Sequence, residues 1–321
     1  MKLHVEKRVF EFSGNPLAAV AYDIMMQPDA SVSAAGQKHL LVLVNGYGRN
    51  RLDFRAFRRR VHSEFPELIS VAIDNRGCGE TVTREPFTLV DMANDVLSIA
   101  ERVCNEFQMR EFALLGISMG GMIAQHAAAR SSKVSKLVLV STTPGGKWRV
   151  WPSDVLSEME NSRDQTTGQV QLPKFRGLPQ DLAGMKTRMT RFFGSKFVAS
   201  SPLLIDAMAK TILNAAQVEG SETQSRLQHA ASVGFDGTEL LKDIRCPVLV
   251  VTGDQDAVIP PSNSDILVQQ LSDAKLVVYP EVGHLILIEE PEIFAHDVLD
   301  FLRSSDDRNG RVFEKERPSH D

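Results

Sequence analysis

The stretch that most constrains this chain runs from Phe112 to Arg130, FALLGISMGGMIAQHAAAR. An apolar run, Phe112-Ala113-Leu114-Leu115, enters Gly116-Ile117-Ser118-Met119-Gly120 and passes directly into an alanine-rich segment of helix-like composition. The pattern reads strand, sharp turn, helix, with a serine at the apex, which is the build of a nucleophile elbow. A side chain at 116 or 120 would collide with the neighbouring strand or helix, and the turn holds Ser118 in a strained backbone conformation. Its hydroxyl then stands above a helix N-terminus, where the dipole and unpaired N–H groups favour developing negative charge. Gly-x-Ser-x-Gly by itself arises by chance in roughly one chain in ten of this length. The weight therefore lies on its placement and on what the rest of the chain supplies.

In order, residues 3–10 and 17–24 read as an opening hairpin across Ser13-Gly14-Asn15-Pro16, and 27–38 as a polar connection. His39–Val44 is a continuous apolar run that suits a strand buried on both faces. It ends in Asn45-Gly46-Tyr47-Gly48, and Arg51–Glu64 follows with helical spacing. Leu68–Asp74 is the next buried strand, with Asp74-Asn75-Arg76-Gly77-Cys78-Gly79 as its loop. That loop lacks Gly-Lys-Ser/Thr and Gly-x-Gly-x-x-Gly, so it reads as a turn shaped by an Asp74–Arg76 pair rather than a phosphate cradle. Thr88 and Asp91 form a capping box for an amphipathic helix bearing Met92, Val96, Ile99, Val103 and Phe107 on one face. Val134–Val140 is a further strand, and the alternation so far implies a parallel sheet with helices on both faces.

From about 145 to 235 no comparable strand run occurs; the segment holds Trp148, Trp151, Phe192, Phe193, Phe197, Met159, Met185, Met189 and Met208 and reads as a helical insertion. The sheet pattern resumes with Cys246–Thr252, a helix near 262–272, a strand at Ala274–Tyr279 and a closing helix near 291–303. The end of the chain is charged and reads as a flexible tail.

An elbow serine needs a base, an acid and an oxyanion hole. The strand after the insertion ends in Gly253-Asp254-Gln255-Asp256, and the next ends in Glu281-Val282-Gly283-His284. Both sites follow the carboxyl ends of strands, where open α/β sheets carry their sites, in the order serine, acid, histidine. Serine is a poor nucleophile until a base takes its proton, histidine titrates near working pH, and a carboxylate fixes the imidazole tautomer. Asp254 and Asp256 both qualify as the acid. His126, His229 and His320 have no motif around them and read as incidental. Two backbone N–H donors complete the set: that of Met119, after the nucleophile, and one from the 45–48 loop, assigned to Tyr47.

Among 321 residues, 43% are apolar and 24% charged, and the net charge is −5, a balance that disfavours nucleic acid or an anionic membrane as partner. Cys78, Cys104 and Cys246 are odd in number and widely spaced, which fits reduced thiols in a cytoplasmic protein, and no cluster has metal-ligand spacing. The first twelve residues alternate and carry charges, unlike a signal peptide, and no apolar run reaches the roughly 18 residues of a membrane span.

Together the Gly-Ile-Ser-Met-Gly-Gly elbow, Asp74-Asn75-Arg76-Gly77-Cys78-Gly79, Gly253-Asp254-Gln255-Asp256 with Pro260, and Gly283-His284 resemble the α/β-hydrolase superfamily, nearest its esterase, enol-lactonase, haloperoxidase-like and C–C hydrolase group. The resemblance implies an α/β-hydrolase fold: a mostly parallel twisted sheet with helices on both faces, with residues 1–145 and 236–303 as the core, 146–235 as a helical cap and 304–321 as the tail. It also selects Asp256 as the acid. The implied activity is cleavage of an ester, lactone or thioester of a small, apolar substrate through an acyl-enzyme, with Ser118, Asp256 and His284 as triad, Tyr47 and Met119 as oxyanion donors, and no cofactor or metal. C–C hydrolysis or cofactor-free perhydrolysis by the same triad is the alternative among enzymes, and a non-catalytic ligand receptor the alternative of another class. Monomer and homodimer are both open. The family's usual His-Gly before the oxyanion residue is Asn45-Gly46 here, and a serine at 118 separates the chain from the aspartate-using epoxide hydrolases and dehalogenases.

Overall fold

A computed structural model describes residues 3–12, 15–28, 38–164, 167 and 169–304. Ser13 and Gly14 of the first turn, residues 29–37 of the polar connection, His320 and the tail from 305 lie outside the described residues.

Eight strands form one sheet: β1 (His4–Phe12), β2 (Asn15–Met26), β3 (His39–Val44), β4 (Leu68–Ile73), β5 (Phe112–Ile117), β6 (Val134–Val140), β7 (Val248–Gly253) and β8 (Ala274–Tyr279). Their spatial order is β1-β2-β4-β3-β5-β6-β7-β8. The β1/β2 and β2/β4 pairs are antiparallel, and every pair from β4 to β8 is parallel. The opening hairpin therefore extends the sheet at one edge, with longer strands than the sequence pattern suggested.

The buried apolar runs explain the interior strands. Along β3, Leu40, Val42 and Val44 enter one core while Leu41 and Leu43 enter the other, as a period of two requires. The first core is closed by α2 (Leu89–Glu106), α3 (Met119–Ala128) and α9 (Ser262–Gln270), and the second by α1 (Arg55–Glu64) and α11 (Pro291–Arg303). Burying each such aliphatic side chain contributes roughly 1.5–3 kcal/mol. The helical spacing from Arg51 resolves into a 3-10 turn, Arg51–Phe54, followed by α1. The Thr88–Asp91 capping box forms and starts α2.

Strand β3 lies between β4 and β5, so the chain leaves β3 in one direction and later crosses back over it to β5. Helix α1, which follows β3, lies on one face, and α3, which follows β5, lies on the other. A reversal of this kind opens a crevice at the carboxyl ends of the two central strands.

Between β6 and β7 the chain forms α4 (Ser153–Asn161), α5 (Leu182–Thr190), α6 (Ser195–Ser200), α7 (Pro202–Ala216) and α8 (Ser221–Ser232). Met185, Met189, Phe193, Ile205 and Ala209 build a third core inside this segment. Its exit and return run side by side: Gly145 pairs with Asp236, Gly146 N–H donates to Phe235 O at 2.9 Å, and Gly237 N–H donates to Pro144 O at 2.8 Å. Gly145 is required there, because φ is +70° and a Cβ would stand 2.7 Å from Phe235 Cδ1. The remaining short helix, α10 (Ile286–Glu289), precedes α11. Among the described residues no helix is long and apolar enough to cross a membrane.

Candidate active site

Ser118 sits between β5 and α3 with φ +55° and ψ −118°, an unusual conformation for a residue with a side chain. Its N–H is fixed to Val140 O at 2.9 Å, and its carbonyl accepts from Thr142 Oγ1 at 2.7 Å. The flanking glycines make the turn possible. A Cβ on Gly120 would meet Asn45 O at 2.6 Å, and one on Gly116 would meet Gly121 Cα at 2.8 Å.

The 45–48 loop closes over this turn, since Val44 pairs with Gly116 and a Cβ on Gly46 would lie 3.1 Å from Ser118 Cβ. Among the described residues, neither the Met119 N–H nor the Tyr47 N–H is engaged in a hydrogen bond, whereas those of Gly46, Gly48 and Arg49 all are. Two unspent donors thus flank the serine. Asn45 is buried and gives this loop its shape. Its amide nitrogen donates to Asn50 O at 2.9 Å and Asp53 Oδ2 at 3.1 Å, while its amide oxygen takes Gly46 N–H at 2.9 Å. Burial raises the pKa of Asp53, against the lowering effect of Arg49 and of the Asn45 amide.

His284 follows β8 and Asp256 follows β7. His284 Nδ1 lies 2.7 Å from Asp256 Oδ2. A carboxylate only accepts, so Nδ1 carries the proton of this hydrogen bond, and Nε2 is the ring nitrogen left for another partner. Asp256 Oδ1 takes the N–H groups of Val258 and Ile259, both at 2.8 Å, so its orientation is locked. Asp254 is exposed, and among the described residues its carboxylate takes no such hydrogen bonds. The ring of Phe192, just beyond α5, meets the His284 imidazole in a T-shaped arrangement at 5.8 Å between centroids, and the Phe192 carbonyl takes the His284 N–H at 2.9 Å. The structure thus joins Asp256 to His284 directly but closes no hydrogen bond between His284 and Ser118 among the described residues. Such contacts are commonly long until a substrate is bound.

Some residues that hold the site carried no signal in the sequence. Glu289, on α10, takes Gly283 N–H at 2.9 Å and Gly194 N–H at 2.8 Å, which ties the His284 loop to the insertion. Burial, followed by the proximity of Asp256, pushes the Glu289 carboxyl upward against these two hydrogen bonds. Gln228 of α8 takes the Gly48 N–H, and the Tyr47 hydroxyl donates to Ser225 O at 2.9 Å.

The expected Asp74–Arg76 pair does not form. Asp74 instead takes the Arg51 N–H at 2.8 Å and its guanidinium, while Arg76 forks onto Asp95 of α2 at 2.7 and 2.8 Å. The loop turns at Gly77, φ +78°, and each charge meets a closer partner from a neighbouring element. Among the described residues no group of three His, Cys, Asp or Glu side chains is arranged to hold a metal ion.

A family model described as alpha/beta hydrolase fold matches residues 40–291, a span that contains both unspent donors, Ser118, Asp256 and His284. The chain belongs to the α/β-hydrolase family. This α/β-hydrolase is 26% identical over 259 residues to a proline iminopeptidase, PfmaB, of Pestalotiopsis fici, covering 80% of this chain and 88% of that protein. It is also 24% identical over 283 residues to a pimeloyl-[acyl-carrier protein] methyl ester esterase of Vibrio vulnificus, covering 86% of this chain and 99% of the relative. The crystal structure of an α/β-hydrolase from a Medee basin deep-sea metagenome library superposes with a TM-score of 0.71 at 17% identity, covering 93% of this chain and 98% of that one. The superposition establishes the shared α/β-hydrolase fold.

Proposed function

We propose that this α/β-hydrolase is a serine hydrolase that cleaves a carboxylic ester, lactone or thioester of a small, apolar substrate through an acyl-enzyme. The observation that carries the reading is the Asp256–His284 hydrogen bond of 2.7 Å, on the strand-end edge that also bears Ser118 on its strained turn. Ser118 Oγ attacks the acyl carbon as its proton passes to His284 Nε2, and the carbonyl electrons move to oxygen. The N–H groups of Met119 and Tyr47 hold that oxyanion. Collapse expels the alkoxide or thiolate, which leaves with the proton from His284. Water then gives a proton to His284 and attacks the acyl carbon, and Ser118 Oγ departs with that proton restored.

In this reading residues 146–235 are the cap. Its side-by-side exit and return at 144–146 and 235–237 support that division, and its Met185, Met189 and Phe193 core next to Phe192 supports an apolar acyl group. An esterase and a peptidase among the relatives support hydrolytic acyl transfer. The thiols Cys78, Cys104 and Cys246, all free, suit a reducing cytoplasm.

The test is labelling with phenylmethylsulfonyl fluoride and peptide mass spectrometry, paired with p-nitrophenyl ester turnover by wild type and Ser118→Ala. Adduct on the Ser118 peptide, with turnover lost in the variant, is the expected result. Absent label with equal turnover would reject the elbow as the nucleophile and favour a ligand receptor on this fold.

A further inference from the structure

Helix α8 is docked in an unusual way, for its one buried side chain is a glutamine, Gln228, which is fully enclosed. The amide is spent on two different loops of the core: Oε1 takes the Gly48 N–H at 2.8 Å, and Nε2 donates to Arg76 O at 2.8 Å. Gln224 and Ser225 lie on the same helix face. The Gln224 amide pairs with both backbone groups of Thr83, and the Ser225 carbonyl takes the Tyr47 hydroxyl at 2.9 Å. Gly77 permits this approach, since a Cβ there would stand 3.2 Å from Gln228 Cγ. The helix is therefore seated by polar contacts in addition to Leu227 and Ala231, which pack against the first core, and the polar contacts bracket Tyr47: its side chain is tied to residue 225 and the next amide along the chain to residue 228.

We propose that Gln228 is a positioning residue that sets the Tyr47 N–H from the cap side, so that the oxyanion hole is complete only with α8 in place. The inference rests on the serine-hydrolase reading. The loop after β3 turns at Gly48, where φ is +68° and the space a Cβ would occupy is open, so the turn has room to relax once the Gln228 contact is lost. A donor displaced by about 1 Å costs on the order of a hundredfold in rate. Substrate binding would be nearly untouched, because the carbonyl needs this donor chiefly as charge develops.

The experiment compares full-length wild type, Gln228→Met, Gln228→Glu and Gln224→Met in p-nitrophenyl ester turnover, with thermal unfolding alongside. Gln228→Met should lower kcat about 10- to 100-fold with KM within about threefold. Gln228→Glu still accepts the Gly48 N–H and should recover most of that loss, whereas Gln224→Met should lower Tm with kcat within about threefold of wild type. In wild type the Gly48 amide should also be protected from hydrogen exchange. The proposal is overturned if Gln228→Met acts through KM alone, if Gln224→Met lowers kcat equally, or if the wild-type Gly48 amide exchanges as in an unfolded peptide. The last readout decides even should Gln228→Met not fold. Wild-type turnover with an unaffected Gln228→Met removes the positioning role alone. A wild type that neither labels nor turns over removes the hydrolase reading, and the positioning role with it.

Discussion

Asp256 reaches His284 with one carboxylate oxygen while the other is held by two backbone N–H groups of its own loop, at 2.8 Å each. The carboxylate therefore cannot rotate away from the imidazole, and only one tautomer of His284 satisfies it. Asp256→Asn keeps the shape but offers either the wrong atom to His284 or an N–H to two N–H groups. Turnover should fall about 10³–10⁴-fold, with Asp254→Asn within about threefold of wild type because Asp254 is exposed. Steady-state kinetics of the two variants, measured side by side, check this; equal losses would reject the assignment.

Glycine positions around the elbow should separate folding from chemistry. A Cβ on Gly120 meets backbone oxygen of the neighbouring strand's loop, and backbone cannot yield, so Gly120→Ala should give no soluble protein. At Gly46 the contact is Ser118 itself at 3.1 Å, which can give by a few tenths of an ångström. Gly46→Ala should fold, with a Tm near wild type, and lose about 10- to 100-fold in kcat/KM. Circular dichroism melts and ester turnover distinguish the two outcomes.

Asn45 stands where the family usually has histidine, and its amide satisfies three groups at once. Asn45→Ala leaves the Gly46 N–H and the Asp53 carboxylate short of partners inside the protein. Stability should fall by about 1–3 kcal/mol and turnover should fall with it, whereas Asn50→Ala should cost stability with a smaller effect on rate. Denaturant titration together with kcat for both variants tests the ordering.

His62 supplies a pH dependence of stability unrelated to the site. Burial first, and the nearby Arg58 guanidinium second, lower its pKa to about 4 from the ordinary 6.5. Above pH 6.5 the folded and unfolded forms are both neutral. As pH falls from 6.5 toward 4 the unfolded chain takes a proton that the folded one refuses, so folding weakens across that window, by about 3 kcal/mol in all. His62→Gln should flatten this part of the Tm–pH curve, and an unchanged slope would reject the assignment.

Much of the fold was legible because it depends on local pattern. The run Leu40–Val44 is apolar at every position, and Leu68–Ile73 at all but Ser70, which only a strand covered on both faces needs. Helix α2 declared itself through its capping box and stripe, and the elbow through glycines that cannot be replaced. The order Ser118, Asp256, His284 is likewise a property of the chain. Choosing Asp256 over Asp254 from the residues alone was not possible. Both follow the same strand; burial, two loop amides and the contact with His284 are the tertiary features on which the proposal of Asp256 rests.

The sequence by itself determined which segments are buried strands, where the chain departs into helices, and which residue types stand at the carboxyl ends of the strands, because these follow from periodicity and from glycine stereochemistry. Tertiary structure decided the placement of β3 between β4 and β5, the partners of Asp74 and Arg76, and the docking of α8 through Gln228. Those outcomes join groups as far apart along the chain as Gly48 and Gln228. A polar side chain on a helix of largely polar sequence gives no local sign of the loop it will satisfy, since the partner is selected only when packing removes both from water.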